Sequence, residues 1–205
     1  MEMLQVLTFP EPVSSLMVRR GRAHLSNAEY YAFCLANPEM RMERSAEGEI
    51  VIVPPAGYES EDRNAEVVLQ LRQWAKRDGR GRATGPGTQF FLPDGSALSP
   101  DAAWVSNQAL YRRPKDELRK FPHLAPEFVV EVLSPSDRLR DAKTKMERWV
   151  ANGVQLAWLI DGDAKTVYVY RKGLAPKTRR AAVEIRGEGP VEGFILELAA
   201  IWKGV

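Results

Sequence analysis

At 205 residues, 44% of them hydrophobic, the chain is long enough to bury one substantial core without disulfides or structural metal. A single cysteine, Cys34, excludes an internal disulfide, and no CxxC or clustered His/Cys pattern marks a zinc site. Lysine and arginine total 29 against 27 acidic residues, a net charge of +2, so overall charge alone does not announce nucleic-acid binding.

The lone cysteine favours a reducing cytoplasm. Because the opening MEMLQVLTFPEP lacks the basic flank and apolar run of a leader and no later segment has the apolar length of a membrane span, the expectation is a chain neither secreted nor membrane-spanning. The expectation is one domain over residues 1–205, with 1–40 as an N-terminal helical extension. In that extension LSNAEYYAFCLANPE reads as a short helix, capped by Ser26 with Glu29 three residues on and stopped by Asn37-Pro38. MRMERSAEGEIVIVPP then places two extended runs around Glu47-Gly48, a hairpin ending at Pro54-Pro55. After the polar stretch AGYESEDR, apolar residues recur at helical spacing from Asn64 to about Lys76. The glycine-rich DGRGRATGPG that follows has no GxxxxGK[ST] pattern and reads as a plain connection rather than a phosphate loop.

TQFFLP and AAWVS are strand candidates joined by a turn at Pro93-Asp94-Gly95. Residues 107–126 are charged and proline-interrupted, a long surface connection with a short helix. EFVVEVLS is the strongest strand, and SPSDRLRDAKTKMERWVANG the clearest helix, closed by Gly153. QLAWLID and TVYVYRK form a hairpin-like pair around Gly162, and GFILELAAIW adds an apolar element of ambiguous type. Basic residues gather at Arg77, Arg80 and Arg82, at Arg112, Arg113 and Lys115, at Arg119 and Lys120, and at Lys177, Arg179 and Arg180. Each group could hold a phosphate or simply face solvent.

Glu131 sits inside an apolar strand and shares its face with Val129 and Leu133, a costly burial unless a cation or donors compensate. Strand alternation points Asp101, just after Pro100, to the same side as Ala103 and Val105. Two carboxylates on adjacent strands could chelate a divalent ion; otherwise Glu131 is an edge-strand residue turned to water and Asp101 a turn former. Lys145 lies beside the helix stripe of Ala142, Met146, Trp149 and Val150, reaching across that face or pairing with Asp141 at the surface.

Pro100-Asp101, Glu131 and the apolar strands around them resemble the PD-(D/E)XK nuclease superfamily, the fold of many restriction endonucleases. Within it GEIVIVPPAG, Glu59 with Arg63-Asn64, SPDAAWV, FVVEVLSPSD, the lysine-bearing helix and GVQLAWLID are similar to the Uma-type restriction endonuclease family, in order from Leu25 to Trp202. The resemblance implies an α/β (α+β) restriction endonuclease-like core, a mixed sheet flanked by helices, in a homodimer. It further implies a Mg2+-dependent endodeoxyribonuclease acting on DNA, with Mn2+ as a substitute. Asp101 and Glu131 match the metal-binding carboxylates. Lysine usually stands two residues after that glutamate; Leu133 is there instead, and Lys145 on the following helix matches the position that replaces it. Glu59 matches a further carboxylate of the catalytic set, at the start of the preceding helix.

The displaced lysine keeps open a second reading, a catalytically inactive nuclease fold that binds DNA or a protein. A glycosidase on the same carboxylates is disfavoured by the adjacent lysine, which opposes a protonated acid. His24 and His123 fall outside the motifs, and Trp104, Trp149 and Trp158 sit on apolar faces as core residues rather than base-stacking platforms.

Overall fold

The structure is a computed structural model that describes residues 16–18, in backbone only, and 25–204. His24 lies outside the described residues. The first helix, α1 (Asn27–Ala36), begins at Ser26 with both halves of the capping box formed: the Ser26 hydroxyl accepts from the Glu29 amide and the Glu29 carboxylate accepts from the Ser26 amide. Strand β1 (Leu16–Val18) lies antiparallel to β3 (Ile50–Val53), which pairs with β2 (Arg41–Arg44) in the expected hairpin. Gly48 supplies the positive φ of 82° that the turn between β2 and β3 requires.

Helix α2 spans Tyr58–Asp78 and so begins six residues before the apolar periodicity does. Its first turns carry Glu59 and Glu61, favourable at the positive end of the helix dipole, and bury Ser60 and Arg63 rather than aliphatic side chains, so no apolar stripe announces them. A second departure lies in the glycine-rich segment, where Gly81–Thr84 forms a strand, β4. Gly81 makes this possible, because the Trp104 indole of the neighbouring strand occupies the space of its side chain. A Cβ there would overlap the Trp104 ring and lie 2.5 Å from the Val105 carbonyl oxygen. Gly81→Ala is therefore expected to cost about 1–3 kcal/mol by overpacking. That lowers the melting temperature by roughly 2–12 °C for a chain of this size; a calorimetric shift under about 1 °C would refute the close-packing account.

Strands β5 (Phe90–Phe91) and β6 (Ala97–Leu98) flank the Pro93-Asp94-Gly95 turn, so that turn closes a small hairpin instead of leading directly into AAWVS. The first sheet has the order β1-β3-β2-β6-β5. AAWVS becomes β7 (Ala102–Ser106) of a second sheet, followed by the short helix α3 (Asn107–Tyr111). At the centre lies β8 (Phe128–Val132), with all five residues buried. Helix α4 (Leu139–Ala151) then crosses to β9 (Leu156–Asp161), parallel to β8, after Gly153 takes a positive φ of 110°. The hairpin of β9 and β10 (Thr166–Arg171) forms as expected, and β11 (Leu174–Arg180) adds an exposed edge.

The six-stranded order is β11-β10-β9-β8-β7-β4, with β8 and β9 the parallel pair of an otherwise antiparallel sheet. The tail resolves into both element types, β13 (Ile195–Glu197) paired with β12 (Glu184–Arg186), and then α5 (Ala199–Lys203). The fold is mixed α/β, a large mixed sheet flanked by helices. Two cores cover its faces. One packs α2 residues Val67, Leu71 and Trp74 with Phe128, Trp158 and Phe194; the other packs α4 residues Met146 and Trp149 with Val129, Ala103 and Leu159. The core roles expected of Trp104, Trp149 and Trp158 hold, at 3%, 0% and 0% exposure. No helix among the described residues is long and apolar enough to cross a membrane.

Candidate active site

Because β8 is paired on both sides, Glu131 cannot turn to water as an edge residue would; it is 9% exposed and faces α4. There Oε1 accepts a 2.8 Å hydrogen bond from the Trp149 indole, which fixes the carboxylate against the core. Lys145 stands one turn before Trp149 on the same helix, and its amine reaches Glu131 Oε1 at 3.1 Å. No Asp141 to Lys145 ion pair forms; the amine donates instead to Glu43 Oε1 at 3.0 Å and to the Ser99 carbonyl at 3.3 Å.

Asp101 closes the group from the adjacent strand. The β7–β8 ladder ends at Ala102 opposite Val130, and the Asp101 carboxylate takes over beyond it, with Oδ2 accepting from the Val132 amide at 2.7 Å. Its Oδ1 has only a long 3.4 Å contact from Asn64 Nδ2. Asp101, Glu131, Lys145 and Glu43 line a cavity of about 320 Å³ together with Asn64 and Ser60. Asp137, Asp141, Arg41 and Arg138 complete the charged wall of this space. Burial, the largest influence, pushes the Glu131 carboxyl up to about 8 against the pull of the Lys145 ammonium. Burial likewise raises Asp101 despite its bond from Val132. Burial alone would lower the Lys145 amine, but Glu131, Glu43 and Asp101 outweigh it and hold the amine charged.

Two oxygens at the cavity wall, Asn64 Oδ1 and Ser60 Oγ, are buried without a hydrogen-bond partner. Together with the free side of Asp101 they make an oxygen-rich lining, the donor chemistry of a hard divalent cation. No three His, Cys, Asp or Glu side chains among the described residues converge tightly enough to enclose an ion by themselves.

The model of the family described as "Uma2: Putative restriction endonuclease" matches residues 28–199. The chain belongs to the Uma2 family. Among solved structures, one described as a putative nuclease belonging to DUF820 from Anabaena variabilis superposes with a TM-score of 0.70. The match covers 80% of this chain and 91% of that one at 21% identity, a likeness of fold. No curated protein matches the chain. Uma2 membership supports nuclease function, and the superposition shows a shared fold.

Three of the four residues singled out in the sequence by likeness to the Uma family therefore meet in one cavity. The fourth, Glu59, does not line it. Its Oε1 binds Arg63 Nη2 at 2.6 Å, and the same guanidinium pairs with Asp163 at 3.0 Å and donates to the Ile201 carbonyl, so Glu59 ties the α2 start to the C-terminal helix. Asn64, one turn further along α2 than Ser60, reaches the cavity instead. Glu43 was not legible as a site residue. Nothing in MRMERSAEGE sets it apart from Glu47 and Glu49, and only the approach of the first sheet to α4 brings it to Lys145. The clusters at Arg77–Arg82 and Arg112–Lys120 are partly spent on local acids, as in Arg80 with Asp78 and Arg119 with Asp116.

Proposed function

We propose that this Uma2 chain is a divalent-metal-dependent endonuclease that hydrolyses DNA phosphodiester bonds, with Asp101 and Glu131 as metal ligands and Lys145 as the catalytic cation. The observation that carries the reading is the reach of the Lys145 amine from α4 to within 3.1 Å of Glu131, supplying the charge that Leu133 lacks. Bound between Asp101 and Glu131, Mg2+ or Mn2+ would polarise a phosphoryl oxygen and acidify a coordinated water.

The protein's own contribution is positioning. Trp149 and the Val132 amide hold the two carboxylates in place before substrate arrives. Lys145 donates toward the phosphoryl oxygens as charge develops on them, in a cavity where water does little to weaken that interaction. Glu43 keeps the amine protonated and aimed. Arg41 at the cavity wall and Arg138 at the α4 N-cap are placed to take flanking backbone phosphates.

Leu133 favours one other reading, an inactive nuclease fold that binds DNA or protein. Calorimetric titration with Mn2+ separates the two. The nuclease is expected to bind the ion and Asp101→Ala to lose about tenfold or more in affinity. Equal weak heats from both proteins would favour the inactive fold.

A further inference from the structure

On the sheet face away from α4, a cavity of about 400 Å³ lies over β9 and β10 and is bounded by β12 and the turn after it. It shares no lining residue with the Asp101–Glu131 cavity. Trp158, Val169 and Ile185 form an apolar floor, and arginines stand around it. Trp158 is fully buried, yet its indole Nε1–H has no hydrogen-bond acceptor, and Nη1 of Arg171, which lines the same cavity, is also buried and unpartnered. Leaving such donors unmet is costly, so a partner for them is favoured. Both are donors, so the group that satisfies them must be an acceptor.

The charges around the cavity give its sign. Arg171 gives its Nε to Glu188 at 2.7 Å, and Arg186 pairs with Glu184 at 2.6 Å, which neutralises two of the three arginines. Arg179, exposed on β11, makes no ion pair among the described residues. One uncompensated guanidinium and two orphaned N–H donors on three successive strands suit a small tetrahedral anion, whose oxygens can accept from several directions.

We infer that the cavity over Trp158, Arg171 and Arg179 is a second binding site of this chain, for a phosphoryl group. The site is independent of the nuclease reading, and its ligand is either a backbone phosphate of bound DNA or free inorganic phosphate.

The test is calorimetric titration of the full chain with inorganic phosphate, without metal, beside titration with duplex DNA. Wild type is expected to bind phosphate, and Arg179→Met and Trp158→Phe to lose about tenfold in affinity. Arg179→Met changes only an exposed strand residue, so it reads the site even where Trp158→Phe unfolds. If Arg179→Met also weakens duplex binding and flattens its salt dependence by about one unit, the phosphate comes from DNA. If only phosphate binding falls, the ligand is the free anion. No phosphate binding at concentrations up to about 10 mM overturns the inference. So does unchanged affinity in Arg179→Met.

Discussion

Lys145→Met is expected to lower metal-dependent DNA cleavage by about 10²–10³-fold, the usual consequence of removing one preorganised donor to developing charge. Methionine keeps most of the volume and the helix propensity, so α4 should still pack through Met146 and Trp149, both fully buried. What disappears is the cation that bonds Glu43, Glu131 and the Ser99 carbonyl at once. The loss should fall on kcat more than on KM, because the amine is called on as charge builds at the reacting phosphate rather than in ground-state binding. Single-turnover rates on a fixed duplex, beside circular dichroism of the variant, check this. A folded Lys145→Met protein that cleaves at the wild-type rate would remove the lysine from the mechanism.

Glu131→Gln separates function from stability in the opposite sense. The amide keeps an oxygen for the Trp149 indole but carries no charge, so cleavage should be lost by at least about 10²-fold with a ligand to the metal removed. In metal-free protein the same change should stabilise the fold above neutral pH. The folded carboxyl is raised from 4.5 to about 8, so folding takes up a proton between those values. The sign follows: the wild type is best off below the unfolded value and loses stability as pH climbs toward 8, by at most about 1.4 kcal/mol per pH unit. Glutamine, always neutral, lacks that decline. Denaturant melts in chelator at acid and mildly alkaline pH should therefore converge for the two proteins at low pH and favour Glu131→Gln at high pH. Parallel curves would show that Glu131 does not feel its burial.

What was readable in the sequence followed from strong local signals. The Ser26 capping box, the Gly48 turn, the all-apolar run around Glu131 and the β9–β10 hairpin are each decided within a few residues, and each formed where expected. The family resemblance pointed to Asp101, Glu131 and Lys145, and the three line one cavity; residue spacing alone left a surface pair of Lys145 with Asp141 open. The failures share a cause in tertiary contact. The α2 start is held by Arg63 bonding to Glu59, Asp163 and the Ile201 carbonyl, the last of these 138 residues away, and that polar anchoring has no periodicity to read. Strand β4 looked like a linker because its glycine is demanded by Trp104 of β7 rather than by a turn. Glu43 reaches Lys145 only when two sheets meet, a fact no window of sequence contains.

The measurement that bears most directly on the central claim is cleavage of supercoiled and linear DNA, with Mg2+ or Mn2+ and with chelator, by the wild type and by Asp101→Ala, Glu131→Ala and Lys145→Ala. Metal-dependent cleavage by the wild type, lost in all three variants while each retains its fold, is the predicted result. Cleavage that persists in the folded Asp101→Ala and Glu131→Ala proteins, or a wild type that neither cuts DNA nor binds a divalent ion, would contradict it.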